Sequence, residues 1–582
     1  MSHSSEPAGH VGQQLVNRLI DYGVTRVFGC PGGQTLPLYN GIANRQDKIQ
    51  HVLMHDERSG VYAADAYARA TGTIGVCDAT VGPGASNLVS GLVEASSSSV
   101  PLLAIVSDIP IEWEHRRAHG SASQAFEQRS FLEACVKYYG RVGSTASLPE
   151  MLHACIRLAT SGRPGPTVLE VPDDVFADLA EEADFPASPE YGKYPRLRSA
   201  PDPADVARAL DLLQRSQRPI IVVGGGALRA DAGPEILDLA QVLGCPIATT
   251  LTGKGVVAET HPMAVSVVGR FGVPMANTAM EQADCVIFIG SKTGQTTTLN
   301  WTLPFLDTPV IHIDIDPGEI GRSYHNTVAL LSDAKLGASA LAEALRDRAL
   351  STDWNRDAIR QMQEDWWAGP IAFKQEPVEG VLKPQDVMRT LREVMSDDDL
   401  IVSDASLASG WIGGRWQMRQ AGRRFFAPRG LAGLGWGLPA AIGVSEGMSS
   451  RGHAPDGRVV CVAGDGGWAY SLAEVETALR RRLPIVSVIL NNSTLGWIRH
   501  SAAARYPGGM VSQDFEQVSY AQAGQGLGAN VATANSLDQL EVALKTALSD
   551  QRGVPWVIEA TTCEIETPVL PSRVSTSSKG GY

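Results

Sequence analysis

"VVCVAGDGGWAYSLAEVETALRRRLPIVSVILNNSTLGW", from Val459 to Trp497, is the stretch that decides the fold. It contains two apolar, β-branched runs, "RVVCVAG" and "PIVSVILN", which predict buried strands. The segment between them, "SLAEVETALRRRL", has helical periodicity and predicts the crossover helix. A strand–helix–strand unit of this length predicts parallel strands whose carboxyl ends lie at the same edge of a sheet.

Polar residues stand at both of these strand ends. Asp465 follows the first strand and Asn492 follows the second, so we expect the two side chains to lie close together. Carboxylate and amide oxygens suit a hard cation such as Mg²⁺, which keeps other positions for phosphate oxygens and water. Gly464, Gly466 and Gly467 let the main chain approach a phosphate, and the following helix start adds N–H donors. Two ordinary turns are the alternative interpretation.

The same alternation of strand and helix recurs along the whole chain. Apolar runs such as "PLLAIVSD", "PIIVVGGG", "CVIFIGS" and "PWVIEAT" alternate with stretches of helical periodicity. This pattern predicts an α/β fold with parallel sheets covered on both faces. Proline-rich stretches at 184–203 and 366–384 predict linkers. We therefore expect three doubly wound parallel-sheet domains and a C-terminal tail or lid, at 10–183, 204–345, 385–565 and 566–582.

Composition and charge exclude several classes of protein. The 582 residues are 44% hydrophobic and 19% charged, which is typical of a large globular protein. The net charge of −14 is spread along the chain without a basic block, which argues against a nucleic-acid surface. No apolar run is long enough for a membrane span, and the start lacks the pattern of a signal peptide. The eight cysteines form no C-x-x-C pair, so we expect buried thiols in a reducing cytoplasm.

The spacing of "GDG", a helix and "NN" resembles the signature of thiamine-diphosphate enzymes. The resemblance implies that Asp465, Asn492 and the main-chain carbonyl of Thr494 hold Mg²⁺, and that the glycines beside Asp465 contact the cofactor. A dinucleotide-binding G-x-G-x-x-G is not present in this stretch. Thiamine diphosphate and Mg²⁺ are therefore the expected cofactors.

A second stretch of the chain matches the same family. "MHDERSGVYAADAYARATGTIGVCDATVGPGASNLVSG", from Met54 to Gly91, resembles the part that places a glutamate beside the aminopyrimidine ring. The resemblance implies that Glu57 is this catalytic residue and that Asn87 also belongs to the cofactor site. A carboxylic acid in an apolar pocket has a raised pKa and can share a proton with a ring nitrogen. Without the family match, Glu57 would be expected to be an exposed carboxylate at the start of a helix.

Two further segments resemble the cofactor site of this family. In "RGLAGLGWGLPAAIG", residues 429–443, the resemblance places Leu434 as the bulky apolar residue that supports the bent cofactor. In "IVSDASLASGW", residues 401–411, it places Ala405 and Ser406 beside the diphosphate. The alternative for the first segment is a glycine-rich helix start packed against a sheet.

Within the family, the chain is most similar to the acetolactate-synthase group of large catalytic subunits. "VFGCPGGQTLPLY", "SGRPGPTVLEVP" and "HIDIDPGEIGR" all resemble it. The resemblance implies a transferase that decarboxylates a 2-oxo acid and joins the product to a second carbonyl compound. It also implies a homodimer or homotetramer in which Glu57 of one subunit faces the diphosphate domain of another. The alternatives are a 2-oxo-acid decarboxylase, a 2-hydroxyacyl-CoA lyase, and a non-catalytic nucleotide-binding paralogue.

The chain departs from this group where substrate choice is set. Phe126–Glu127 stands where the family has a Phe–Gln pair, and Trp497 and Ser501 stand where the family has a Met and a Trp. His500 lies between the last two and titrates in a useful range. These five residues are the candidate substrate contacts, and the substrate itself is left open between a 2-oxo acid and an acyl-CoA.

The middle domain carries a further resemblance. "GRFG" at 269–272, "HIDID" and Asp333 loosely match the FAD-binding pattern of acetolactate synthases. The loop "SKTGQTTTLNW" differs from that pattern, and its Lys292 and threonines suit a phosphate of ADP or coenzyme A. FAD, another adenine nucleotide and an ordinary polar loop are the alternatives here. The tail "VLPSRVSTSSKGGY" either closes over the site or lacks regular structure.

Overall fold

The computed structural model describes residues 9–181, 185–346, 348, 351–450, 457–506 and 508–568. Its strands form three six-stranded sheets, and every strand pair within them is parallel. The predicted α/β fold with three parallel sheets is confirmed, whereas the predicted domain boundaries stay a prediction. Most of the expected tail, 569–582, lies outside the described residues. No described helix is long and apolar enough to cross a membrane.

The first sheet has the strand order β2-β1-β3-β4-β6-β5. Its central strand is buried at every position, as its continuous apolar sequence predicts. The strands are β1 (Arg26–Gly29), β2 (Gln50–Leu53), β3 (Gly75–Ala79), β4 (Leu102–Asp108), β5 (Tyr138–Arg141) and β6 (Pro166–Pro172). The helices are α1 (Val11–Asp21), α2 (Leu36–Ala43), α3 (Glu57–Thr71), α4 (Pro83–Asn87), α5 (Val89–Ser98), α6 (Gln128–Glu133), α7 (Leu148–Thr160) and α8 (Asp173–Ala177).

The second sheet has the order β12-β11-β10-β7-β8-β9, which is the doubly wound order of dinucleotide-binding folds. Its strands are β7 (Pro219–Val223), β8 (Ile247–Thr249), β9 (Ala264–Val267), β10 (Cys285–Ile289), β11 (Val310–Asp314) and β12 (Thr327–Leu331). Its helices are α9 (Pro203–Leu213), α10 (Gly225–Arg229), α11 (Gly233–Leu243), α12 (Pro274–Gln282), α13 (Ala334–Leu345) and α14 (Arg356–Trp367). The chain reverses direction across the sheet between β7 and β10, where such folds open a crevice.

The third sheet has the order β14-β13-β15-β16-β18-β17. Its strands are β13 (Leu400–Ser403), β14 (Phe425–Phe426), β15 (Val459–Gly464), β16 (Val486–Asn491), β17 (Asn530–Ala534) and β18 (Trp556–Thr561). Its helices are α15 (Pro384–Val394), α16 (Leu407–Arg415), α17 (Gly437–Ser450), α18 (Asp465–Ala469), α19 (Glu474–Arg480), α20 (Gly496–Arg505), α21 (Tyr520–Gly526) and α22 (Leu537–Ser549). The predicted crossover helix at 471–483 is present as the shorter α19, and the additional short helix α18 begins at Asp465, before the predicted segment.

Helix α3 of the first domain packs directly against helix α17 of the third. Small residues allow this approach: a Cβ on Gly443 would overlap the carbonyl group of Ala63. Tyr62 and Trp436 are buried in the same apolar core, which draws on both domains. The first and third domains therefore share one continuous core within the chain.

Candidate functional site

A cavity of about 710 Å³ opens at the carboxyl ends of β13, β15 and β16. This is the place where the strand order of the third sheet reverses, and ligands of doubly wound sheets collect there. Its described lining belongs to the middle and third domains and to the segments joined to them. Of the residues predicted from sequence, it includes Ala405, Ser406, Leu434, Gly464, Asp465, Gly466, Gly467, Asn492, Thr494 and Trp497.

The two strand-end residues, Asp465 and Asn492, both line this cavity and are hydrogen-bonded to each other. Asp465 accepts the N–H of Gly466 at 2.7 Å and the N–H of Asn492 at 3.2 Å. The side-chain oxygen of Asn492 in turn accepts the N–H of Thr494 at 3.3 Å. Burial raises the pKa of Asp465, and these N–H groups oppose that effect. The carboxylate of Asp465, the amide oxygen of Asn492 and the main-chain carbonyl of Thr494, all residues of the cavity lining, are the oxygen atoms that could hold Mg²⁺.

A metal ion bound here would be held by a mixed set of oxygen atoms and not by carboxylates alone. Within the described residues, no cluster of three or more His, Cys, Asp or Glu could hold a metal ion. Mg²⁺ is commonly bound through one or two carboxylates with water and substrate phosphates completing the shell. The donor set around Asp465 and Asn492 therefore fits Mg²⁺ with a phosphate ligand, and it does not fit a zinc site rich in His and Cys.

Glu57 is the first residue of α3, and the side chain of Asp56 caps the helix by accepting two N–H groups. The amide of Asn87 donates to the Glu57 carboxylate at 2.9 Å. A Cβ on Gly84 would lie 3.2 Å from the same carboxylate, so the "GPG" loop passes close beside it. The structure thus brings Glu57 and Asn87 together, and their roles at a cofactor stay a prediction.

Three sequence profiles match the chain in the order of its three sheets. The profile described as "Thiamine pyrophosphate enzyme, N-terminal TPP binding domain" matches residues 9–131. The central-domain profile of the same enzymes matches residues 206–342, and the "C-terminal TPP binding domain" profile matches residues 404–560.

The chain belongs to the thiamine pyrophosphate enzymes. It is similar to "Probable acetolactate synthase large subunit" of Methanococcus aeolicus, with 30% identity over 90% of this chain and 87% of that protein. "Acetolactate synthase" of Arthrospira platensis is 34% identical over 83% of this chain and 82% of its own length. "Acetolactate synthase isozyme 3 large subunit" of Escherichia coli (strain K12) is 30% identical over 97% of this chain and 96% of its own. The family matches and these relatives together show that the chain is an acetolactate-synthase-like enzyme that depends on thiamine diphosphate.

Asp404 organises this thiamine pyrophosphate enzyme's cavity, although it was not among the residues predicted from the sequence. Its carboxylate accepts the N–H groups of Ala405 at 2.5 Å, Gly435 at 3.1 Å and Gly437 at 3.1 Å. Burial raises the pKa of Asp404 to about 6, and the N–H donors limit the rise. The strand end after β13 is thus tied to the loop that carries Leu434. An acidic residue directly before a predicted diphosphate contact is the signal that could have identified it.

Arg270 and Arg429 also line the cavity and were missed. The guanidinium of Arg429 lies 4.3 Å from the centre of the Phe271 ring, and that of Arg270 lies 5.9 Å from the Trp497 ring. The Phe271 and Trp497 rings stack at 5.7 Å. Burial lowers the pKa of Arg429 to about 10, which leaves it charged at neutral pH. Arg270 lies in "GRFG", where only a flavin contact was considered.

The other predicted substrate residues are dispersed. Phe126 is half-buried in the first domain, where Arg117 donates to its carbonyl at 2.9 Å, and Glu127 beside it is exposed. His500 and Ser501 belong to α20 but do not line the cavity. Burial lowers the pKa of His500, and its Nε2 has no hydrogen-bond partner among the described residues. Trp497 is the predicted substrate residue that the structure places at the cavity.

A second cavity, of about 340 Å³, opens at the reversal point between β7 and β10. Gly224 and Gly290, which follow these two strands, both line it. The main chain packs too closely at these two positions to leave room for a Cβ. Burial lowers the pKa of Lys292 to about 8, and that of Arg229 to about 10. Asp333 does not line this cavity, and its carboxylate caps α13 and pairs with Arg198. The cavity's cationic lining residues are Arg69, Arg163, Arg229, Lys292, Arg423 and Arg429.

Proposed function

We propose that this enzyme uses thiamine diphosphate and Mg²⁺ to decarboxylate a 2-oxo acid and to join the product to a second carbonyl compound. The observation that carries the proposal is the pairing of Asp465 with Asn492 at one sheet edge, together with a Glu57–Asn87 pair in another domain. The similarity to acetolactate synthases over most of their length supports the reaction class.

In this proposal the third domain binds the diphosphate end of the cofactor. Asp465, the amide oxygen of Asn492 and the carbonyl of Thr494 would hold Mg²⁺, which neutralises phosphate charge. The main chain at Gly464, Gly466 and Gly467, and at Ala405 and Ser406, would contact the diphosphate. Leu434 supplies an apolar surface for the cofactor's bend. The bound cofactor supplies a nucleophilic carbon and accepts the electron pair released when the C–C bond breaks.

Glu57 would hold a proton against the cofactor's aminopyrimidine ring, and Asn87 would orient the carboxylate through its 2.9 Å hydrogen bond. None of the described first-domain residues lines the third-domain cavity of the same chain. We therefore propose a homo-oligomer in which Glu57 of one subunit meets the diphosphate domain of another. A dimer is the smallest assembly that completes two such sites.

The charges of the cavity support a carboxylate substrate. Arg270 and Arg429 place two guanidinium groups beside the aromatic surfaces of Phe271 and Trp497. Arginine binds carboxylates through parallel N–H donors, and an aromatic wall excludes water from the reacting carbon. A small 2-oxo acid, with a carboxylate next to its carbonyl group, fits this combination.

For the middle domain we propose a ligand that contains adenosine diphosphate, of which FAD, ADP and coenzyme A are the alternatives. Lys292, Arg163 and Arg229 give a cationic lining, and glycine-rich turns follow two strands at the reversal point. The two cavities share Phe271, Gln295, Thr296 and Arg429 in their linings. A flavin in the second cavity would therefore lie near the proposed reaction site.

The test is an assay of CO₂ release and product formation, with and without thiamine diphosphate and Mg²⁺. Pyruvate, aromatic 2-oxo acids and 2-hydroxyacyl-CoA thioesters are the substrates, and Glu57→Gln is the control for background turnover. We expect cofactor-dependent CO₂ and a condensation product from an oxo acid. Thioester cleavage without CO₂ would show an acyl-CoA lyase instead, and no turnover with cofactor bound would show a non-catalytic paralogue.

A further inference from the structure

Glu94, on α5 of the first domain, is a fully buried carboxylate with an unusual set of partners. It accepts four consecutive main-chain N–H groups of the third domain, at 3.1, 2.9, 2.7 and 2.9 Å. The hydroxyl of Ser98 and the guanidinium of Arg69 also donate to it, at 2.7 and 3.1 Å. The four N–H donors belong to the loop residues Arg429, Gly430, Leu431 and Ala432.

The carboxylate is ionised in this environment. Burial acts to raise the pKa of Glu94, but Arg69 and the N–H donors outweigh it, and the pKa falls below its ordinary value. Hydrogen bonds from N–H groups to a carboxylate are stronger than those between neutral groups. Glu94 therefore holds the loop by charge as well as by geometry.

The loop that Glu94 holds forms part of the cofactor cavity. Arg429, Leu431, Ala432 and Leu434 all line that cavity. Ala432 has a φ of +62°, a conformation that alanine adopts only when its surroundings enforce it. Gly433 follows, where a Cβ would lie 2.6 Å from the Tyr62 hydroxyl. The shape of the loop is thus fixed from the first domain.

We propose that Glu94 is a positioning residue for thiamine diphosphate binding. It presents the loop 429–434 in the shape that supports the cofactor, although it does not itself line the cavity. This inference rests on the proposed cofactor site in the third domain. Loss of the carboxylate should weaken cofactor binding and leave turnover at saturating cofactor largely intact, because Glu94 does not contact the reacting atoms.

Glu446 provides a matched control. Its carboxylate is also buried and also links the two domains, because it pairs with Arg26 of the first domain at 2.7 Å and with Arg481 of its own domain at 2.6 Å. It lies on α17 and contacts no residue of the loop 429–434 among its hydrogen bonds and ion pairs in the described structure. A purely structural role in joining the domains would therefore be affected equally by Glu94→Gln and by Glu446→Gln.

The experiment measures the dissociation constant of thiamine diphosphate, with Mg²⁺, for the full chain and for both variants. We expect Glu94→Gln to weaken binding about 10-fold or more, as loss of a supporting hydrogen-bond partner does around bound groups. Glu446→Gln should stay within about 2-fold, even where both variants lose similar thermal stability. Unchanged binding by Glu94→Gln, or equal losses in both variants, would overturn the proposal.

Hydrogen exchange tests the same inference without a disruptive substitution. The N–H of Leu431 should exchange slowly in the wild type although the residue is 49% exposed, because Glu94 accepts it. Ser98→Ala, a milder variant, should speed this exchange and weaken the cofactor affinity slightly. Rapid exchange in the wild type would overturn the proposal. No cofactor binding by the wild type, with these amides still protected, would instead show that the proposed cofactor site has failed.

Discussion

The first and third domains have the same strand order but carry different chemistry. In each, the second strand in sequence lies at the edge, and a long helix follows it: α3 after β2, and α17 after β14. These equivalent helices pack on each other. At the start of α3 stands the carboxylate Glu57, whereas α17 is preceded by the apolar residue Leu434. The comparison teaches that the sheets supply a common frame and the loops at their edges supply the function.

The two domains differ again one strand further along. After β3 comes the "GPG" loop with Asn87, whose amide donates to the Glu57 carboxylate. After β15 comes Asp465, which pairs with the end of β16. In the proposed function, the first domain would supply the group that handles protons, and the third domain would supply the group that binds phosphate and metal. The two groups would make a catalytic site only in combination.

The largest effect should come from removing the proton-handling group. We expect Glu57→Gln to lower kcat by about 10² to 10⁴-fold, the usual contribution of a positioned acid–base group. Cofactor affinity should change little, since the amide keeps the size of the side chain. Steady-state kinetics and cofactor titration measure the two quantities. Glu150→Gln, in the first turn of α7, is the control, and it should leave both unchanged.

The complementary substitution is Asp465→Asn in the third domain. The loss of a ligating carboxylate should weaken joint binding of thiamine diphosphate and Mg²⁺ on the order of 100-fold, more than the loss of an outer partner costs. Saturating cofactor should recover part of the activity, unlike in Glu57→Gln. Isothermal titration with both ligands measures this. Asp538→Asn, in the first turn of α22, is the matched control. Equal loss of affinity in both aspartate variants would contradict the assignment.

A smaller effect is expected in the middle domain, where Lys292 lines the second cavity. Burial lowers the pKa of Lys292 to about 8, so its ammonium group loses its proton as the pH rises through that value. We expect ADP and FAD to bind less tightly at pH 9 than at pH 7, and Lys292→Met to remove most of that pH dependence. Equilibrium dialysis at both pH values measures it. The same pH dependence in the variant would assign it to another group.

The lowered pKa of Lys292 also determines how its contribution to the free energy of unfolding changes with pH. Because the pKa of Lys292 is lower in the folded chain, the unfolded chain binds more protons between about pH 8 and 10.4. The contribution of Lys292 to the free energy of unfolding therefore rises with pH over that interval. Comparison of the wild type with Lys292→Met in urea unfolding at several pH values isolates it.

The smallest effect on activity should come from the shared core. Gly443→Ala places a methyl group against the Ala63 carbonyl, and we expect it to destabilise the chain by about 1–3 kcal/mol through overpacking. Gly447→Ala, one turn further along α17, would meet the Thr71 methyl group at 2.9 Å, and a smaller loss is expected. Thermal unfolding compares the two. Greater stability of the Gly443 variant than of the wild type would contradict the close packing of the two helices.

Much of the fold followed from the sequence, because buried parallel strands have a simple signature. The runs at β7, β10 and β15 are apolar without interruption, and each is a strand. The crossover helix was predicted over residues 471–483, whereas α19 spans Glu474–Arg480 and residues 470–473 form a turn. A local period does not reveal where such a helix begins and ends.

The candidate site was predictable only where a residue lies in a motif. The positions of Asp465, Asn492 and Leu434 around one cavity follow from their place after strands or before a helix. Glu94 carries no such signal, because the loop N–H groups that it accepts lie more than three hundred positions away in the chain. Arg270 and Arg429 likewise reach the cavity from different domains. Contacts between domains depend on packing that a single sequence does not display.

The central claim is that each catalytic site combines Glu57 of one subunit with Asp465 of another. Subunit complementation tests it most directly: Glu57→Gln and Asp465→Asn chains are co-expressed in equal amounts and purified together. Each variant alone should be nearly inactive at low cofactor, and the mixture should recover about a quarter of wild-type activity, because half of the dimers then hold one intact site. Recovery of no activity in verified mixed dimers would contradict the shared site.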